Sequence, residues 1–206
     1  MEIGTWNGLG STLCLLQGCA DRGADWPLEI WSIEGNKDMA EAAKERVAEW
    51  WGLAKKGRVP ADHPYKAVSD TWGKRLPHNC PLTVWWGRMA ESIMTVPQIG
   101  THPLFWKVAD HYTLHYADEL RSIREAPLLP FKKQFDIVLL DGGEFSGEQD
   151  WAAVQKCCPK IVVLDDTAVM KNANVLANAK REGWMVVAEG ADRNGWAILK
   201  SPAKIE

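Results

Sequence analysis

The chain reads as a doubly wound α/β fold whose sheet is closed by a carboxy-terminal antiparallel hairpin, and three observations predict it. A glycine-rich turn, Glu2-Ile3-Gly4-Thr5-Trp6-Asn7-Gly8-Leu9-Gly10-Ser11-Thr12, leads from a short apolar start into a helical pattern. A short strand at 30–33 and largely apolar runs at 135–140 and 161–164 are followed by Glu34, Asp141 and Asp165-Asp166; the run at 135–140 reads as a central parallel strand buried on both faces and that at 161–164 as another buried strand. The last two runs, 184–188 and 196–199, are joined by a Gly/Asp/Arg/Asn turn, the mark of a hairpin.

The elements follow in order. Residues 9–18 form the first helix, with Ser11 or Thr12 near its start and Leu13, Leu15 and Leu16 on its apolar side. A short strand at 30–33 precedes a long helix at 38–55 that is rich in Ala, Glu, Lys and Arg. The Pro/Gly/His-rich stretch 57–81 reads as loop with one short helix near 68–74. Residues 82–86 are the third strand, and Gly87-Arg88-Met89-Ala90-Glu91 reads as a further strand-to-helix turn. The stretch 92–130 is the least regular, with a helix expected at 113–125. Helices at 149–156 and 172–181 flank the strand at 161–164.

With 206 residues the chain can bury one substantial core, so a single domain over 1–206 is the expectation. Its formal net charge of -3 gives no electrostatic reason for a nucleic-acid partner. No segment reaches the ~20 apolar residues of a membrane span, and the amino terminus lacks a signal-peptide pattern, which predicts a cytoplasmic protein without a membrane partner. Cys14, Cys19, Cys80, Cys157 and Cys158 have no zinc-site spacing and read as buried thiols of a reducing compartment. The twelve tryptophans, several paired as Trp50-Trp51 and Trp85-Trp86, read mostly as core or interface filler, a minority as pocket lining.

In an open α/β sheet, ligands bind beyond the carboxyl ends of the strands. Gly4 and Gly8 are four apart and Gly10 follows two later, so the Gly-x-Gly-x-x-Gly loop that cradles a pyrophosphate is missing. Glu34, at the end of the second strand, is placed to accept hydrogen bonds from vicinal ribose hydroxyls. Asp141, Asp165 and Asp166 would repel one another if brought together, and a divalent cation would compensate them. Magnesium or manganese suits such an all-oxygen set; the plainer alternative is that the Asp pair caps a turn and Asp141 starts a loop. Residues 142–148 read as a flexible turn in which Glu144 could be a further ligand or a base, and Glu148 begins the next helix. Lys171 reads as an exposed lysine at a helix start. His111 and His115 are four apart and would share a helix face; the other histidines, His63, His78 and His102, have no compact metal spacing. No nucleophile elbow or Walker loop is present.

Taken together, these motifs resemble a class I S-adenosylmethionine-dependent methyltransferase, specifically the metal-assisted O-methyltransferases and the cephalosporin-hydroxylase and macrocin-O-methyltransferase-like groups. The resemblance covers most of the chain. It implies a Rossmann-like sheet with the reversed terminal hairpin that separates this fold from nicotinamide-binding ones. It also implies cofactor contacts at Glu2, Gly4, Thr5, Gly8, Ser11, Glu34, Arg88, Met89 and Asp141, and metal ligands at Asp141, Asp165 and Asp166. The implied reaction is methyl transfer from S-adenosylmethionine to a hydroxyl of a small molecule, with Asp141 and Glu144 as catalytic residues, Mg2+ or Mn2+ as the assisting ion, and a small-molecule substrate and a second copy of the chain in a homo-oligomer as partners.

Three departures accompany the resemblance. The last metal position is Asp-Asp where catechol-type relatives have Asp-Asn, no lysine base can be assigned, and the helix that usually precedes the first strand has no counterpart. Two alternatives are a methyltransferase-like domain retained for assembly or binding and a nicotinamide-dependent oxidoreductase.

Overall fold

A computed structural model describes residues 1–5, 8–22, 29–73, 77, 79–129, 131 and 133–202. Trp6 and Asn7 of the glycine-rich turn, and His78, lie outside them. Among the described residues seven strands form one sheet: β1 (Glu2–Ile3), β2 (Ile30–Glu34), β3 (Leu82–Trp86), β4 (Ile137–Leu140), β5 (Ile161–Asp165), β6 (Met185–Gly190) and β7 (Trp196–Lys200). Their order is β3-β2-β1-β4-β5-β7-β6. β2 pairs with β3 and β4 with β5 in parallel, whereas β7 is antiparallel to both β5 and β6. The predicted doubly wound sheet with its reversed terminal hairpin is therefore present.

Two compact units share the short first strand, Glu2 falling in one and Met1 and Ile3 in the other. The unit running from Gly4 to Trp86 contains α1 (Ser11–Arg22), α2 (Lys37–Lys55) and α3 (Lys66–Trp72) with β2 and β3. Its core is aromatic: Trp50 stacks on Tyr65 at 4.9 Å and on Trp72 at 6.0 Å, among Leu16, Ile30, Val47 and Leu82. The Trp50 ring N–H donates to Ser69 Oγ at 2.7 Å, so the indole is buried with its one donor satisfied. α2 starts where the sequence allows it to. The Asn36 side chain accepts from the Asp38 and Met39 amides at 3.0 and 3.2 Å, covering free N–H groups of the first turn.

The unit from Gly87 onward contains α4 (Val96–Thr101), α5 (Phe105–Glu125), α6 (Gly147–Gln155) and α7 (Met170–Arg181) with β4 to β7. Phe145 is fully buried among Tyr112, Tyr116, Ile99 and Met170. β4 and β5 bury Val138, Leu140, Val162 and Leu164, which are register partners on one face of the sheet. Backbone bonds from Leu139 to Met1 O and from Asp141 to Ile3 O fix β4 beside the first strand.

Several sequence expectations are corrected. α1 begins at Ser11 rather than Leu9 and continues to Arg22. α5 begins eight residues before the expected start, and α4 precedes it in a stretch that carried no pattern. Among the described residues no helix follows β3 directly. Residues 87–95 instead bury Met89, Ala90, Ile93 and Met94 in an irregular run pinned by Met94 N donating to Phe145 O at 2.8 Å. Cys14 and Cys158 are exposed rather than buried, and all five thiols are free. Trp106 is 73% exposed, so it fills no core.

Candidate functional site

The amino-terminal unit builds a turn whose shape is set by two glycines and one buried acid. Gly4 and Gly8 have φ of 95° and 80°, a region that costs a residue with a β-carbon. Glu2 is fully buried; its carboxylate accepts from Ser11 Oγ at 2.6 Å, from Thr12 Oγ1 at 2.7 Å, and from Ser32 Oγ. Thr5 is buried too, with its hydroxyl 2.6 Å from Ser32 Oγ. A buried carboxylate needs such donors, and these three hydroxyls come from the first turn of α1 and from β2. Glu2, Thr5 and Ser11 thus tie the turn to the strand ahead of it and the helix behind it. Tyr65 adds a latch that sequence reasoning missed. Its hydroxyl donates to Gly8 O at 2.5 Å, and burial pushes its pKa up to about 12, keeping it a donor. Tyr65 lies in the stretch 57–81, where no periodicity pointed to it.

Glu34 closes β2, and its Oε1 accepts from the Asn36 amide at 2.8 Å. The same two residues therefore end the strand and start α2.

The second unit gathers charge at the carboxyl ends of β4 and β5. Leu140 and Leu164 are register partners, so Asp141 and Asp165 leave their strands side by side. One carboxylate oxygen from each of Asp141, Asp165 and Asp166 lies within 4.8 Å of the others. The three are close enough to share a cation, as the sequence suggested. Asp166 adopts a left-handed φ of 56°, which for a non-glycine residue costs of order 1 kcal/mol.

Lys171 overturns its sequence reading. It is only 8% exposed, and Nζ donates to Asp141 Oδ1 at 2.6 Å and to Asp166 Oδ2 at 3.2 Å. Burial pulls its pKa down, but Asp141 and Asp166 outweigh that and leave the net shift upward, so the side chain is an ammonium. Burial raises the Asp141 carboxyl against the opposing pull of Lys171. The adjacent Asn172 is fully buried and donates to Leu140 O at 3.2 Å and Asp165 O at 2.6 Å, clamping α7 onto both strand ends. Asp166 Oδ1 and Asn172 Oδ1 are buried with no hydrogen-bond partner among the described residues.

Glu144 lies beside this group. Its Oε1 accepts from the Lys171 amide at 3.3 Å in the first turn of α7, and burial carries its pKa to about 7 against the pull of Lys171 and His111. His111 Nε2 is 3.1 Å from Glu119 Oε1, a contact that raises the imidazole pKa. His111 and His115 do share a face of α5, with ring centroids 4.6 Å apart. Residues 142–148 are shaped by close packing rather than looseness. Asp150 is 3% exposed and accepts from Ser146 Oγ at 2.7 Å and from the Ala90 amide at 3.2 Å. A β-carbon on Gly147 would run into the Lys171 carbonyl oxygen.

Arg88 and Met89 follow β3. The Arg88 guanidinium donates to Ala126 O at 3.1 Å and Ala90 O at 2.5 Å, and Met89 is buried. The Arg88 side chain thus ties down the backbone that follows β3.

No family model matches this chain, and no curated protein matches it in sequence. Among the described residues, no helix is long and apolar enough to cross a membrane.

Proposed function

We propose that this protein is an S-adenosylmethionine-dependent methyltransferase acting on a hydroxyl group of a small molecule. The observation that carries the proposal is the strand order, in which a parallel sheet is completed by an antiparallel β7 inserted between β5 and β6. That reversal, with no pyrophosphate loop at the first turn, argues against a nicotinamide-dependent oxidoreductase. Free thiols at all five cysteines support the cytoplasm as its location.

The residues of the first turn fit this cofactor. Positive φ at Gly4 and Gly8 opens the backbone to close approach, and Glu2, Thr5 and Ser11 hold that shape through buried hydrogen bonds. Glu34 supplies a carboxylate at the end of β2 for ribose hydroxyls. In the other unit Arg88, Met89 and Asp141 are the proposed cofactor residues, Arg88 and Met89 by shaping the backbone after β3. The bound cofactor supplies a methyl group activated by its positively charged sulfur.

Glu144 is the proposed base. A carboxyl with a pKa of about 7 is half ionised at neutral pH, where it can both accept a proton and hold it. Lys171, anchored on Asp141 and Asp166, provides positive charge close by. A divalent ion on Asp141, Asp165 and Asp166 has the right oxygen donors, but the ammonium already stands against two of the three. With Lys171 in place the residues do not fit a resident Mg2+ or Mn2+.

The test is transfer of an isotopically labelled methyl group from S-adenosylmethionine to a panel of sugar-containing and phenolic acceptors, with and without chelator. Labelled ether products support the proposal. Transfer to amines alone would move the acceptor from oxygen to nitrogen, and no transfer to any acceptor would favour a domain kept for assembly.

A further inference from the structure

The acidic cluster poses a charge problem that the fold offsets in part with a side chain of its own. Three aspartates converge at the ends of β4 and β5, and like carboxylates at this spacing need a counter-charge. Lys171 is buried in the first turn of α7, and its ammonium bridges Asp141 and Asp166. The helix start strengthens the arrangement. Asn172 fixes the backbone on either side of the cluster by bonding to Leu140 O and Asp165 O, so Lys171 has little freedom to swing away. Gly147 presses against the Lys171 carbonyl, locking the same turn from the side of α6. Glu144 accepts from the Lys171 amide and completes the enclosure.

We infer that the Lys171 ammonium is the resident cation of the Asp141, Asp165 and Asp166 cluster, occupying the seat a divalent ion would need. A magnesium ion demands oxygens at about 2.0–2.1 Å and near-octahedral geometry. To take Asp141 Oδ1 and Asp166 Oδ2 it would have to stand where Nζ now stands, or so close that two cations repel at short range in a buried setting. A lysine charge is a compact point charge with three donors, suited to bridging carboxylates that approach from different strands. The Asp166 carboxylate gives this ammonium its second anionic partner. The inference rests on the cluster alone and is independent of the methyl-transfer reading.

The experiment is a titration with Mn2+ of the whole chain, reading free Mn2+ by electron paramagnetic resonance, for the parent, Lys171→Met and Asp165→Asn. The parent is expected to show no saturable site below about 1 mM. Lys171→Met, freed of the ammonium but keeping three carboxylates, is expected to bind one Mn2+ at least tenfold more tightly than the parent. A parent that binds one Mn2+ saturably below that concentration, with the site lost in Asp165→Asn, overturns the inference. So does a folded Lys171→Met chain that takes no more Mn2+ than the parent. If Lys171→Met fails to fold, the comparison of the parent with Asp165→Asn decides alone. The thermal midpoint of the parent gives a second reading: it is expected to be the same in magnesium as in chelator, and a clear rise with magnesium counts against the inference. Binding of S-adenosylhomocysteine to the same samples separates this question from that of the cofactor.

Discussion

Asp150→Asn should make the protein less sensitive to alkali. Asp150 is buried in the first turn of α6 and accepts from Ser146 Oγ and the Ala90 amide. Burial raises its pKa from 3.8 to about 6, opposed by those two bonds and by Lys171. A raised pKa means that the folded chain holds the proton more tightly than the unfolded one. The associated stability is therefore fully present below pH 3.8, declines as pH rises toward 6, and is gone above that. At 1.36 kcal/mol per pH unit the whole effect is about 3 kcal/mol, of which about 1.4 kcal/mol falls between pH 5 and pH 8. Asparagine has the same shape. Its carbonyl can keep the Ala90 bond, and its NH2 can donate to a rotated Ser146 hydroxyl. Urea unfolding of parent and variant at pH 5 and pH 8 measures the difference directly. The parent should lose about 1.4 kcal/mol more than Asp150→Asn over that interval. Equal losses in the two proteins would refute the reasoning, because Asp150 would then be ionised throughout.

Gly147→Ala should lower the thermal midpoint sharply, with a cost of about 2 kcal/mol or more, since the new methyl meets the Lys171 carbonyl and the α6 and α7 starts must part. A midpoint within a degree or two of the parent would show that the two helices can separate freely. Tyr65→Phe removes the donor to Gly8 O and should cost about 1 kcal/mol in urea unfolding while leaving the aromatic stack around Trp50 in place. If Glu144 is the base, turnover should rise with pH through about 7, because the ionised carboxylate is the active form. Glu144→Gln should flatten that profile at a rate reduced by about a hundredfold or more; an unchanged profile would remove Glu144 from the chemistry.

The central strands β4 and β5 were legible because their residues are apolar up to the acids at their ends. Val138, Leu140, Val162 and Leu164 are buried register partners on one face of the sheet, and the acids that follow the two runs mark the carboxyl edge. The hairpin was legible from its turn residues. α5 began earlier than the pattern suggested because Trp106 and Leu114 are exposed, which scatters apolar residues around the helix and blurs its periodicity. At the site, the three aspartates were found from strand ends alone, but their counter-charge was not. Lysine at a helix start is ordinarily solvated, and only the pairing of β4 with β5 reveals that Lys171 points into a carboxylate cluster. A usable signal was present in the excess of acids over any motif lysine, which required a cation from somewhere. Tyr65 and Asp150 were invisible for a related reason. Each acts on a backbone group distant in sequence, Gly8 O and the Ala90 amide, and single-sequence spacing carries no trace of such a bond.

The measurement that bears most directly on the central claim is a calorimetric titration of the whole chain with S-adenosylhomocysteine, run beside NAD and repeated on Glu34→Ala. Saturable binding of S-adenosylhomocysteine alone is expected, weakened about tenfold or more in Glu34→Ala by loss of the ribose acceptor. Binding of NAD in its place, or of neither compound, would contradict the account.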